Sequence, residues 1–377
     1  MARLLAWCLV LAALAGCGGG GSAAKQGVPP GPTLTHAVAS KLEKSLHQTV
    51  EDTGVPGASA AVVFADGKEW TGNAGAAVLK PRQAMTSHTA LPFDGVTTVA
   101  VAVLTMRLVE QHKLALEDPI AKWYPAWNGD PEATVSDLLG HTSGLGDPSD
   151  ALLFGVAQGK RLVTPRQFVV AAGRPGPRTT EAAYSNAGLM LMGLIIERAT
   201  GERVAATMRR EVFDHPGGRG LALQPAERTQ APRADSYWYP RGLANPVAAN
   251  DGTPFLPTRG WALMAGTAGA LAGNVPSLAR WGQALFNDQI LDPSSLHEMA
   301  TFHNAEPEFW DGYGLGLAKY SFDGHDMWGH TGDSPTGSHT EFWHLLKENM
   351  TIAVTWNDAA IENDGGIFQG LVKAANG

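Results

Sequence analysis

The chain has 377 residues, room for one large domain or two lobes that fold together; 44% are hydrophobic, enough for a core, and only 17% are charged, which argues against long coiled coils and disordered tails. The formal charge is −8 with no basic block, so the sequence has no electrostatic footprint for nucleic acid. Its two cysteines, Cys8 and Cys17, both fall in the first segment, so no disulfide staples the body and burial must hold it.

In chain order, residues 1–16 read as a lipoprotein signal peptide: Arg3 gives a positive start, and Leu4 to Ala15 form an apolar stretch too short to stay in a bilayer as a spanning helix. Leu14-Ala15-Gly16-Cys17 resembles a bacterial lipobox, which implies cleavage before Cys17 and a lipid on its sulfur. The expected location is therefore the cell envelope, outside the cytoplasm, on a membrane anchor. Residues 17–33, with GGGGS at 18–22 and prolines at 29, 30 and 32, read as a flexible tether.

Leu34, Val38, Leu42, Leu46 and Val50 recur every four residues and predict an amphipathic helix stopped by Gly54 and Pro56. Ala60 to Phe64 and Glu69 to Gly72 flank Asp66-Gly67, and two strands around Asp-Gly read as a tight hairpin. A second helix is expected over 97–111 with Val101, Leu104, Leu108 and Val109 inward, and another over 275–287 with Leu278, Trp281 and Leu285 inward. Strands are predicted at 313–320, 326–330, 339–345 and 351–356, and Ile367, Phe368, Leu371 and Val372 suit a closing helix. The expected fold is α+β: an antiparallel sheet flanked by the terminal helices, with a mostly helical insert. Its domain spans 34–375, the sheet part about 34–90 and 262–375 and the helical part about 95–260.

Four stretches carry a family resemblance. They are TVSDLLGHTSGL at 134–145; Tyr184-Ser185-Asn186 followed by AGLMLMGLIIERATGE; His330-Thr331-Gly332; and RLVEQHKLALEDPIAKWYP at 107–125. In order and spacing they resemble the serine β-lactamase and penicillin-binding-protein (DD-peptidase) family, in its class-C-like branch. The resemblance implies a serine nucleophile in a Ser-x-x-Lys motif at a helix start, a Tyr-x-Asn element and a His/Lys-Thr-Gly strand. Counting back from Leu108-Val109-Glu110, with Thr89 where the family carries threonine, sets that motif on Gly95-Val96-Thr97-Thr98. The serine position is Gly95 and the lysine position is Thr98.

Glycine has no atom to form an acyl-enzyme, and threonine cannot be a cation. Without a neighbouring ammonium the Tyr184 phenol is expected to keep its ordinary pKa of about 10. The chain therefore reads as a catalytically inactive homologue. Tyr184, Asn186, His330, Thr331, Gly332 and Asp333 are the candidate pocket, suited to a peptidoglycan peptide or a protein partner. Two alternatives stand: a divergent hydrolase using Ser143, Thr97 or Thr98, and a scaffold with a vestigial cleft.

Asp333 is expected either to oppose an oxyanion or to face solvent. Ser143 and His141 read as turn residues. The tryptophans, Trp70, Trp123, Trp127, Trp281, Trp343 and Trp356 among them, read as core rather than a glycan groove. No cofactor or metal is expected. The histidines at 297, 303, 325, 330, 339 and 344 lack ligand spacing, and Thr301 stands where a His297-Glu298 zinc motif needs its second histidine.

Overall fold

The computed structural model describes residues 31–157, 161–229, 232–238, 246–305, 310–358 and 366–377. The predicted signal peptide, Cys17 and most of the tether lie outside the described residues.

The first helix, α1 (His36–Thr53), begins where the Thr35 hydroxyl accepts the Val38 N–H and ends at Gly54 in the left-handed region. It leads into β1 (Gly57–Val63), β2 (Glu69–Leu79) and the short β3 (Arg82–Ala84). The C-terminal part supplies β4 (Gly312–Tyr313), β5 (Ala318–Phe322), β6 (His325–Ser334), β7 (Ser338–Leu345) and β8 (Met350–Trp356). These strands form an eight-stranded sheet in the order β3-β2-β1-β8-β7-β6-β5-β4, antiparallel at every pairing. Strands from the N- and C-terminal parts of the domain pair within the sheet, β1 with β8, from Ala58 opposite Trp356 to Val63 opposite Thr351.

Both faces of this sheet are covered. On one face, α1 and a closing helix (Ile367–Asn376) bury Leu42, Leu46, Phe368 and Leu371 against Ala60, Val62, Ile352 and Val354. Residues one step along the same strands, Ala61, Val63 and Ala353, enter the core on the opposite face. That alternation explains why β1 and β8 are mostly apolar and buried throughout: a strand covered on both sides has no solvent-facing side to show. Complete burial of Leu42 and Leu46 contributes about 1.5–3 kcal/mol each.

The other face carries the helical part. Its centre is α2 (Thr97–Glu110), in which every residue from Thr97 to Met106 is buried. It is thus enclosed on all sides, not on the one stripe predicted, as expected of a helix apolar all round. Against it pack α3 (Asn186–Thr200) and α4 (Arg259–Gly269), so the helical part runs past residue 260. The helix expected over 275–287 is α5 (Val275–Phe286), which lies on the sheet through Trp281 and Phe342, 6.0 Å apart and stacked.

The strand predicted over 313–320 is two strands. Gly316 breaks it with φ +65, and a Cβ there would lie 2.6 Å from the Ala102 side chain and 3.0 Å from the Thr98 carbonyl. This turn thereby presses against α2 one turn into the helix.

Candidate functional site

Three chain segments converge on the start of α2. The segment Asp94–Val96 is a single 3₁₀ turn feeding into α2, entered through Asp94 at φ +44, a left-handed conformation that Asp tolerates better than most residues. Thr97 locks this turn: its hydroxyl donates to the Asp94 carbonyl at 2.6 Å and accepts the Leu271 N–H at 3.0 Å. With both roles filled and the residue fully buried, Thr97 is a structural hydroxyl.

The second segment is the start of α3. Ser185 caps it, accepting the Gly188 N–H at 3.0 Å. Asp147, from the loop after HTSGL, grips the same end: its carboxylate accepts the Ala187 N–H at 2.8 Å, the Asn186 N–H at 3.2 Å and the Asn186 side-chain amide at 2.7 Å. An anion over a helix N-terminus is favoured by the helix dipole. The arrangement fixes Tyr184 and Asn186 at the cleft.

The third segment is β6, which brings His330, Thr331, Gly332 and Asp333 across from Gly95. The contact is backbone on backbone. A Cβ on Gly95 would lie 2.7 Å from the Thr331 carbonyl oxygen, and one on Gly332 would lie 2.2 Å from the Phe93 carbonyl. Gly332 therefore packs on the turn and is not part of the cavity wall, contrary to its place in the predicted pocket. Thr98, one helical turn past Gly95, has its hydroxyl 3.3 Å from the Tyr184 hydroxyl and is fully buried. It too lies outside the cavity wall.

Between these segments lies a cavity of about 300 Å³, lined by Gly95, Tyr184, Asn186, His330, Thr331 and Asp333 among the predicted residues. The sequence reading missed Asp94, Trp261, Trp310 and Tyr313, which also line it. His141, read as a turn residue, is one, with φ +57, but its ring also reaches the cavity. Ser143 is buried and its hydroxyl receives the Leu145 N–H, a turn role.

The hydrogen bonds dictate two tautomers. The Ser185 N–H points at His141 Nδ1 (3.2 Å), so Nδ1 accepts and the proton is on Nε2. His141 Nε2–H then donates to the Tyr313 hydroxyl at 3.2 Å, and that hydroxyl donates to His330 Nε2 at 2.9 Å. His330 Nδ1–H ends the chain on the Thr331 carbonyl. Every nitrogen is used with both rings neutral. Burial drives the same way, holding His141 at about 3 and His330, partly offset by its bond to Thr331, at about 4.

Tyr184 departs from the expectation of an ordinary phenol: burial pushes it up to about 12, despite its hydrogen bond with Thr98. It is neutral across the physiological range and has no use as a base there.

Asp94 is buried beside Gly95. Its oxygens accept from Trp261 Nε1 at 3.2 Å and Ser338 Oγ at 2.6 Å, and burial raises it to about 7 against those two bonds. Asp333 has an exposed side chain, 62% accessible, on the cavity rim and is paired with His339. His339 in turn contacts Glu341 at 3.1 Å. Burial opposes a charge on His339, but the hydrogen bonds its ring donates to Asp333 and Glu341 prevail and raise it to about 10.

An eight-stranded antiparallel sheet, a central buried helix whose start faces a Tyr-x-Asn element, and a His-Thr-Gly strand define the serine β-lactamase/DD-peptidase fold. The sequence model of the Beta-lactamase family matches residues 42–368, and the chain belongs to that family. It is 27% identical over 303 residues to penicillin-binding protein 4 of Amycolatopsis lactamdurans, covering 74% of this chain and 75% of that one. It is also 27% identical over 239 residues to the esterase EstB of Burkholderia gladioli. That match spans 57% of this chain and 58% of the esterase, so it leaves more than a third of the relative unmatched.

Among solved structures, a D-stereospecific amidohydrolase from Streptomyces sp. superposes with a TM-score of 0.73 at 25% identity, covering 89% of this chain and 98% of that one. The D-amino acid amidase of Ochrobactrum anthropi SV3, complexed with L-phenylalanine amide, superposes with a TM-score of 0.79 at 21% identity and the same coverages, which bears on the fold alone.

Proposed function

We propose that this protein is a non-hydrolysing member of the family that binds a cell-wall peptide or a protein partner in the cleft at the start of α2. The carrying observation is Gly95 at the position of the nucleophile, with Thr331's carbonyl 2.7 Å from where its Cβ would be. No side-chain atom is available there to form a bond to an acyl carbon, and the space for one is taken by strand backbone.

The neighbouring groups support the same reading. Thr98 carries no charge to activate a hydroxyl, and Tyr184 stays protonated up to about 12. Of the other hydroxyls, Thr97 is occupied in local structure, and Ser143 is buried and does not line the cavity. Relatives that are penicillin-binding proteins, amidases and esterases support a ligand with an amide or ester backbone, for which Asn186 offers both a donor and an acceptor.

The test is to incubate the purified protein with a fluorescent penicillin, a chromogenic cephalosporin and p-nitrophenyl acetate. The expected result is no denaturation-stable label and no turnover above buffer. A covalent label that disappears when a single hydroxyl residue is replaced would overturn the proposal.

We further propose that the protein is exported and held at the membrane by a lipid on Cys17, supported by Arg3, the apolar stretch over 4–15 and Leu14-Ala15-Gly16-Cys17. Cells fed labelled palmitate should yield labelled wild-type protein and unlabelled Cys17→Ala. An unlabelled wild type would refute the anchor.

A further inference from the structure

The cavity is poorly suited to the carboxylate of a cell-wall peptide or β-lactam. Among the described residues lining it there is no lysine or arginine. Its two histidines are neutral, with all four ring nitrogens committed to the chain from Ser185 to Thr331. A carboxylate brought here would lose its water without gaining a cation to replace it, which disfavours its binding.

The charges that do face the cavity are negative. Asp94 gives one oxygen to Trp261 and one to Ser338, and a carboxylate has about four acceptor sites, so acceptor capacity remains. On the rim, Asp333 is paired with His339, which also contacts the buried Glu341. The walls are aromatic. Trp310 lies 5.2 Å from Tyr313 and 6.0 Å from Tyr184, centroid to centroid, and Trp261 lines the same space with its indole N–H on Asp94. Aromatic rings beside carboxylates attract cations through the ring quadrupole, most strongly where water is excluded.

We propose that this cleft selects an ammonium group carried on an aromatic or short alkyl body, and rejects the corresponding carboxylate. The volume of about 300 Å³ sits at the small end of ligand pockets and fits a single such group, not an extended chain. The inference rests on the cavity being the binding site of the proposed function, and it changes which end of a peptide-like ligand enters: the amine, not the carboxyl terminus.

The titration of Asp94 adds to this. Asp333 on β6, His339 on β7 and Tyr184 at the start of α3 are the ionisable groups that act on it, and burial holds it at about 7. A bound cation favours its ionised form, so binding strengthens as pH rises through about 7.

The experiment is calorimetric titration of the full chain with three probes that share a benzyl body: benzyltrimethylammonium, benzyl alcohol and phenylacetate. None has a bond that this family's chemistry cleaves. At pH 8 the ammonium should bind at least ~10-fold more tightly than the alcohol, a gap of about 1.4 kcal/mol, and phenylacetate should bind weakest. Wild-type affinity for the ammonium should rise between pH 6 and pH 8, and Asp94→Asn should narrow its preference over the alcohol. Equal affinity for all three, tighter binding of phenylacetate, or no binding of any probe would overturn the inference. Hydrolysis of a chromogenic ester would sink the non-hydrolytic reading while leaving this order of affinities intact.

Discussion

A methyl group at residue 95 has no free space: Thr331's carbonyl oxygen lies 2.7 Å away, the Gly332 Cα 3.4 Å and His330 Cε1 3.6 Å. The nearest of these is strand backbone, which cannot swing aside as a side chain can. Gly95→Ala should therefore push β6 away from the turn and cost about 1–3 kcal/mol, the usual range for overpacking. Urea denaturation measures it, and a loss below about 0.5 kcal/mol would mean that β6 yields freely and the cleft keeps room for a nucleophile. The residues with motif spacing, Gly95, Thr98, Tyr184, Asn186 and His330, were legible in the sequence because each sits at a fixed offset from a recognisable stretch. The rest of the site was not. Asp94 meets Trp261 and Ser338 across 167 and 244 residues, and His141 meets Tyr313 across 172. No local pattern encodes those meetings. Asp94 has one local signal, its place directly before the Gly95-Val96-Thr97-Thr98 stretch.

At the scale of elements, periodicity worked where one face of a helix meets the sheet. α1, α5 and the closing helix show their buried stripes in the sequence, and their bounds fall within a few residues of the expected ones. It worked less well at the centre. α2 is enclosed on every side, so its sequence carries no polar stripe to set its orientation. β2 runs to Leu79, seven residues beyond the predicted end at Gly72, because the next five residues, Asn73 to Ala77, are Asn, Ala and Gly, which have little strand preference and are held by pairing with β1 and β3. The break at Gly316 was likewise hidden, since its cause is the approach of α2 rather than any local turn signal. The start of α3 shows how elements serve the site. Asp147, 39 residues away, fastens that helix end by three N–H groups, and the two side chains it steadies, Tyr184 and Asn186, are those that face the cavity.

For the molecule as a whole, five buried ionisable groups set a stability optimum in pH. His141, His330 and His344 are depressed by burial to about 3, 4 and 3. Unfolded histidine titrates near 6.5, so their contribution is complete above that pH and is lost as pH falls toward the folded values. Asp94 runs the other way: raised to about 7, it takes up a proton in the folded state first, which offsets one histidine between about pH 7 and 4. The unfolded chain thus gains about two more protons than the folded one, a slope near 3 kcal/mol per pH unit at its steepest. On the alkaline side His339, raised to about 10 by its two carboxylates against the pull of burial, gives stability that is complete below 6.5 and fades as pH climbs through 10. Its single proton makes that slope the gentler one, about 1.4 kcal/mol per pH unit. The urea midpoint should therefore peak near pH 6.5 and fall more steeply toward pH 4.5 than toward pH 8.5. His339→Gln should flatten the alkaline side and leave the acid side in place. A midpoint that stays level from pH 6.5 to 4.5 would show that these histidines take up protons in the folded state, and the neutral relay from Ser185 to Thr331 would then be wrong.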